Sequence, residues 1–321
     1  MYDQRTEAFS YNMKTQVVLI YILVLACMIL TCGCTTISRN DSPPPRVAGV
    51  SSIPVGEGQY MFLDSRGNVD RPITVFTYRP STWNTNGQVL IVMHGAGRSG
   101  RDTLLTWVPY GEQYSCLIVA PEFSGTYYPG DQWYMGGNLF SSTGSVNPKS
   151  NWTYSAIEHL FDDIRNRTGS GRDSYLLFGH SAGAQFVHRL VTFLPEARYR
   201  RAVAANAGFY VFPSYSVQAP AGLKNSPLPA SDLPKVLSRK LIIMSGEADT
   251  NPNDSSLATF PEAEAQGKNR FERALAYYTT AKSEAARLSA PLNWEYHTVP
   301  GIGHDEAGMA GPSAARLFSE S

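Results

Sequence analysis

Three residues far apart in this chain have the types and settings that nucleophilic acyl transfer needs. Ser181 sits in Gly179-His180-Ser181-Ala182-Gly183, Asp249 in Ser245-Gly246-Glu247-Ala248-Asp249, and His304 in Gly301-Ile302-Gly303-His304. A serine hydroxyl is a poor nucleophile until a base takes its proton, and an imidazole base needs a carboxylate to fix its tautomer and stabilise its charged form. Such a serine would attack a carbonyl, and water would then resolve the acyl-enzyme. Two backbone N–H donors aimed at the developing oxyanion are worth about 3 kcal/mol each when well placed. This chemistry requires no metal and no organic cofactor, so neither is expected.

The pentapeptide alone carries little, because Gly, Ser and Ala are common; its flanks give it meaning. Tyr175 to Phe178 reads as a strand and Ala182 to Leu194 as a helix stopped by Pro195, with Ser181 at the apex of the turn between them. Glycines two positions either side remove the Cβ atoms that would clash in so tight a turn. N–H groups opening the helix point where its dipole favours negative charge.

Around this turn the chain reads as a doubly wound, mostly parallel α/β sheet with helices on both faces. Gln59–Asp64 and Ile73–Pro80 alternate and are joined through Ser65-Arg66-Gly67-Asn68, which predicts an antiparallel hairpin at the sheet edge. From Val89 the pattern changes to continuous apolar strands, as in a sheet covered on both faces: Val89–Met93, Cys116–Ala120, Tyr175–Phe178, Ala202–Ala207, Leu241–Met244 and Trp294–Val299. Helical spacing of apolar residues predicts helices from about Tyr154 to Arg167 and from Arg270 to Leu288. Asp249 and His304 then both follow strand ends, and the order Ser, Asp, His brings the three to one edge of the sheet.

With His94-Gly95-Ala96-Gly97 after the strand Val89–Met93, the chain resembles the α/β-hydrolases, and within them secreted serine esterases of the polyhydroxybutyrate-depolymerase type. The resemblance runs from about Gln59 to the C-terminus. It implies a Ser181–His304–Asp249 triad, an oxyanion hole formed by the N–H groups of Ala182 and Ala96, with Gly97 as alternative to Ala96, and an ester substrate, small or polymeric. The same machinery cleaves peptides and amides, which stands as the second reading; a non-catalytic surface lipoprotein on this scaffold is the third. Glu247 and Asp254 rival Asp249. His94 and His180 read as structural neighbours of the site, His188 as packed or exposed, His159 and His297 as unmarked, and Arg98 and Arg101 as solvent-facing charges.

Two connections, Glu122–Trp152 and Phe209–Arg239, are too long for plain turns and rich in aromatics. In a doubly wound sheet such loops border the ligand. Tyr127, Tyr128, Trp133 and Tyr134 are therefore candidate substrate contacts, with a local loop core as the competing reading.

The N-terminus reads separately. Residues 1–34 form a leader in which 14 apolar residues, Val17–Leu30, follow Lys14; Met13 is an alternative start to Met1. Fourteen residues are short for a membrane span. Gly33-Cys34 resembles the end of a bacterial lipobox, with Thr31 where a large aliphatic residue is usual and Cys32 a competing site. A lipid anchor on Cys34 in the membrane, a cleaved periplasmic or extracellular protein, and an uncleaved anchor stay open, and export is the expectation. Residues 35–56 read as a flexible Pro/Ser-rich tether and 57–321 as the hydrolase domain. Of 4 cysteines, only Cys116 lies outside the leader, in an apolar strand. Lys+Arg and Asp+Glu both total 27, a balance that gives no basic surplus for nucleic acid and no acidic tail. The sequence leaves the oligomeric state open.

Overall fold

The computed structural model describes residues 52–319; the leader with Cys34 and residues 35–51 of the tether lie outside them. An eight-stranded sheet runs in the order β1-β2-β4-β3-β5-β6-β7-β8. The strands are β1 Gly56–Phe62, β2 Ile73–Arg79, β3 Val89–Met93, β4 Leu117–Glu122, β5 Tyr175–His180, β6 Tyr199–Ala205, β7 Leu241–Gly246 and β8 Trp294–Val299. β1 pairs antiparallel with β2, Phe62 opposite Ile73, and β2 pairs antiparallel with β4. Every other neighbouring pair is parallel. The mostly parallel α/β fold with an antiparallel edge is thus the architecture found.

Alternation along the buried strands divides the core in two. Ile91, Leu177, Ala204 and Ile243 face one layer, with Ile157 and Leu160 of helix α3 (Thr153–Thr168), Phe186 and Leu190 of α4 (Ala182–Phe193) and Tyr277 of α7 (Arg270–Leu288). Leu90, Val92, Phe178, Val203 and Met244 face the other, with Leu104 and Trp107 of α1 (Gly100–Tyr114) and Met309 and Leu317 of α8 (Glu306–Leu317). Fully buried strands have no polar face, which is why they read as apolar runs rather than as alternation. The remaining short helices are α2 (Gly130–Trp133), α5 (Leu233–Leu237) and α6 (Pro261–Glu264).

Helix α1 was not apparent from the sequence. Pro109 lies inside it, the residue that most often ends a helical pattern. It persists because Leu104 and Trp107 are buried against the sheet and Ser99 caps its start, accepting from Asp102 N at 3.2 Å. Cys116 is fully buried one residue before β4, and burial pushes its thiol pKa up.

Candidate active site

Ser181 stands between β5 and α4 with φ 56° and ψ −115°, a backbone conformation that side-chain-bearing residues seldom adopt. Packing enforces it. A Cβ built on Gly179 would lie 2.2 Å from the Gly183 carbonyl oxygen, and one on Gly183 would lie 2.2 Å from the Met93 carbonyl oxygen and 2.9 Å from that of His94. The start of α4 is therefore pressed against the end of β3, the point from which the His94–Gly97 loop departs. That close approach brings the segments of Ala182 and Ala96 together, Ala182 as the first residue of α4 and Ala96 exposed in its loop.

His94 fixes that loop from within. It is fully buried; its Nε2 accepts from Phe123 N at 3.0 Å, so its Nδ1–H is the donor to Gly95 O at 2.9 Å. Burial lowers its pKa to about 4, and the neutral ring serves both bonds. Tyr134 stacks on it at 4.4 Å and donates to His94 O at 2.6 Å.

At the ends of β7 and β8 the other two residues meet the serine. His304 Nε2 lies 2.9 Å from Ser181 Oγ, and His304 Nδ1 lies 2.8 Å from Asp249 Oδ2. With Nδ1–H donated to the carboxylate, Nε2 is free to accept the hydroxyl proton. Asp249 is 4% exposed and takes a second bond on Oδ1 from Arg270 Nη1 at 3.3 Å. Arg270 also donates to Asp254 Oδ1 at 3.1 Å and Ser256 Oγ at 2.7 Å. The Arg270 bond, together with those that Ser256 N and Oγ donate to Asp254 Oδ1 at 2.8 and 2.7 Å, holds the Asp254 carboxyl well below its ordinary range. Glu247 instead accepts from Thr298 Oγ1 at 2.7 Å. Of the three candidate acids, Asp249 is the one on the histidine.

The two loops are joined by backbone. Ala248 N donates to Ile302 O at 2.9 Å and Glu247 N to Val299 O at 3.0 Å, while a Cβ on Gly246 would sit 2.4 Å from Ile302 O. Asn206, with φ 54° just past β6, ties both to the end of that strand: its Nδ2 donates to Gly303 O at 3.0 Å and its Oδ1 accepts from Gly246 N at 2.8 Å. His180 packs its ring 4.7 Å from that of His304. Burial, helped by His304 and Arg270, lowers its pKa to about 3 and keeps it uncharged beside the imidazole.

The four aromatic candidates divide. Tyr128 and Tyr134 are buried in the loop core, Tyr128 donating to Arg71 O at 2.8 Å. Tyr127 is exposed and Trp133 is half-buried under the Arg71 guanidinium, 3.7 Å from its ring centroid. Arg98, expected to face solvent, instead threads the same connection, donating to the carbonyls of Phe123, Tyr128 and Gly130 at 2.7, 3.1 and 2.9 Å. A carbonyl-rich loop with no strand partners needs such a donor. Arg101 is exposed and pairs with Glu57. His188 is buried, its Nε2 accepting from Val211 N at 3.1 Å, and His159 pairs with Asp64 at 2.7 Å. Among the described residues no group of three or more His, Cys, Asp or Glu side chains is arranged to hold a metal ion. Arg270 and Asn206 carry no local sequence signal for their roles: one opens an amphipathic helix and the other ends a strand.

Comparison with known proteins agrees with this frame. Poly(aspartic acid) hydrolase-1 from Sphingomonas sp. KT-1 superposes with a TM-score of 0.80 at 35% identity, over 83% of this chain and 100% of that one. The chain belongs to the α/β-hydrolase superfamily. The poly(3-hydroxybutyrate) depolymerase of Bordetella parapertussis matches this α/β-hydrolase with a TM-score of 0.79 at 35% identity, over 83% and 90% of the two chains. An S-formylglutathione hydrolase from Agrobacterium tumefaciens shares the fold at 14% identity and a TM-score of 0.54, over 82% and 95%. A scan against protein-family models finds no match, and comparison with curated proteins finds none that is significant. Kinship with these enzymes makes the protein a hydrolase, similar to esterases of the depolymerase type.

Proposed function

We propose that this hydrolase cleaves carboxylic esters through an acyl-enzyme on Ser181. The observation that carries the reading is the unbroken line of hydrogen bonds from Ser181 Oγ through His304 to the buried Asp249. Ser181 Oγ attacks the ester carbonyl as His304 Nε2 takes its proton; the oxyanion is met by the N–H groups of Ala182 and Ala96. His304 then returns the proton to the departing alkoxide, and a water activated by the same imidazole releases the acid. Asp249 stabilises the imidazolium while Arg270 holds its other oxygen.

Turnover of a short-chain p-nitrophenyl ester tests this: Ser181→Ala and His304→Ala should each lose about 10³-fold or more in kcat, and by similar amounts, because these residues act as a unit. Unchanged turnover in Ser181→Ala would reject the assignment. A fluorophosphonate probe should label Ser181 in the native protein; lack of labelling would favour the non-catalytic reading. Amide cleavage is the second reading, favoured by the 35% identity to a poly(aspartic acid) hydrolase. Ester and peptide turnover by one preparation separates the two. We further propose export, supported by the leader-like run ending near Cys34; mass spectrometry of the mature N-terminus tests it, and an intact Met13 would reject cleavage.

A further inference from the structure

Arg189 lies two turns beyond Ser181 on α4 and is 4% exposed, yet its hydrogen bonds go to neutral acceptors. They are Gln185 Oε1 at 3.2 Å from both Nη atoms, Gln185 O at 3.3 Å and Met135 O at 3.4 Å. Its guanidinium stands 4.6 Å over the Phe209 ring. A guanidinium stays charged, and a buried charge is costly unless something answers it. Asp131 is the carboxylate nearest in effect, but it is exposed and accepts none of these bonds.

The guanidinium lines a cavity of about 360 Å³ whose walls also include the exposed Asp131 and the apolar Met135, Phe209, Ala258 and Phe260. A smaller cavity of about 150 Å³ also has Arg189 on its wall, with Leu139 and Phe193. The segments around the larger cavity leave the carboxyl ends of β4, β6 and β7, and Gln185 belongs to the turn of α4 that follows Ser181, donating its N–H to Ser181 O at 3.1 Å. This is the edge of the sheet on which ligands of such folds sit. A helical arginine points back toward the N-terminus, as its bonds to Gln185 confirm. Eight residues at 1.5 Å, less one turn, put the charge roughly 7 Å along the axis from the serine.

We propose that Arg189 is an anion subsite that receives a carboxylate of the substrate, so that the enzyme prefers esters carrying a carboxylate four or five bonds from the scissile carbonyl. At about 1.2 Å of advance per bond in an extended chain, that spacer covers about 5–6 Å, close to the axial part of the offset between charge and nucleophile. Met135, Phe209 and Phe260 would hold the spacer, and the Nε–Nη2 edge of the guanidinium, on the side away from Gln185 Oε1, would bind the carboxylate bidentately. This inference rests on the ester-hydrolase reading for its catalytic consequence, though binding at Arg189 does not.

Two pairs of esters test it, each an acid against its neutral carboxamide, with acid release followed by titration at constant pH. 3-Acetoxybutyrate against 3-acetoxybutyramide places the carboxylate in the alcohol half; monoethyl glutarate against ethyl glutaramate places it in the acyl half. The native enzyme should favour the acid of at least one pair by roughly ten- to a hundredfold in kcat/KM. Arg189→Met should abolish that preference while keeping turnover of the carboxamide, and Arg189→Lys should keep part of it. Because Arg189→Met also loses the bonds to Met135 and Gln185, Ala258→Glu provides a second variant. It puts a second carboxylate into the cavity in addition to that of Asp131, leaves the arginine in place, and should cancel the preference likewise. No preference in either pair, or equal loss on acid and amide in both variants, would overturn the subsite. If none of the four esters is cleaved, the ester reading fails instead, and calorimetric titration of Ser181→Ala with 3-acetoxybutyrate still decides the subsite. Binding at least tenfold tighter than the carboxamide, lost on adding Arg189→Met, supports it; equal binding of the two rejects it.

Discussion

A methyl group on Gly183 would stand 2.2 Å from the Met93 carbonyl oxygen, a distance no real Cβ adopts, and the neighbour is backbone that cannot rotate away. Gly95 belongs to the same constellation, yet a Cβ there meets nothing within 4 Å. The two glycines therefore have different tolerances. Gly183→Ala should lower stability by about 1–3 kcal/mol or more through overpacking and displace Ser181 from its strained turn, with a matching loss of turnover. Gly95→Ala should leave stability within about 0.5 kcal/mol. Urea denaturation of the two variants checks this, and an equal cost at both positions would contradict the close approach of α4 to β3. Asn206 shows the same economy of position: an αL residue at a strand end, where asparagine is tolerated, bridges the loops bearing Asp249 and His304.

Among the elements, α7 does more than cover the sheet. Its first residue, Arg270, is 2% exposed and joins Asp249 to Asp254 and Ser256, so the helix start is fixed to the acid loop. Asn269 caps that start, accepting from Glu272 N at 2.9 Å. Taking away Arg270 leaves a buried carboxylate with His304 as its remaining partner. Breaking one side of such a buried pair costs about 3–5 kcal/mol, reduced here because Asp254 is partly exposed and can be rehydrated. Arg270→Gln should therefore lower the unfolding free energy by about 2–3 kcal/mol and depress kcat more than it changes KM, since the substrate does not touch this residue. Steady-state kinetics with denaturation measures both; a rise in KM at unchanged kcat would place Arg270 in substrate binding instead.

For the whole molecule, buried histidines decide the response to acid. His94, His180 and His188 are buried and neutral, with pKa values lowered to about 4, to about 3 and well below 6.5, chiefly by burial. Unfolded, each would bind a proton below pH 6.5, so stability is complete above that pH and falls as pH drops toward 4. Glu306 acts in the opposite sense: burial raises its pKa from 4.5 to about 7, so its contribution is complete below pH 4.5 and is lost as pH rises through 7. Each proton in imbalance changes stability by about 1.4 kcal/mol per pH unit, and three histidines outweigh one glutamate. Urea midpoints should rise from pH 4.5 to 6.5, and Glu306→Gln should make that rise steeper. A flat profile in both proteins would mean that the histidines are not held neutral.

What the sequence determined by itself is the part written in local periodicity: the apolar runs that became β3 to β8, the edge hairpin, the helices α3, α4 and α7, and the glycine-flanked Ser181 at a strand-to-helix turn. Such signals lie in neighbouring residues, because burial of an element depends on its own pattern. Helix α1 escaped where Pro109 broke that pattern. Tertiary structure decided the pairings: Asp249 rather than Glu247 or Asp254 on His304, Tyr128 and Tyr134 turned into the loop core, Arg98 drawn inward to free carbonyls, and Arg270, Asn206 and Arg189 set around the site. Their partners lie from 4 to 97 residues away along the chain, and a side chain's choice among polar partners depends on which strand ends the fold brings together. The type and order of Ser181, Asp249 and His304 were legible in advance; which oxygen faces which nitrogen was decided only when the ends of β5, β7 and β8 were brought to one edge of the sheet.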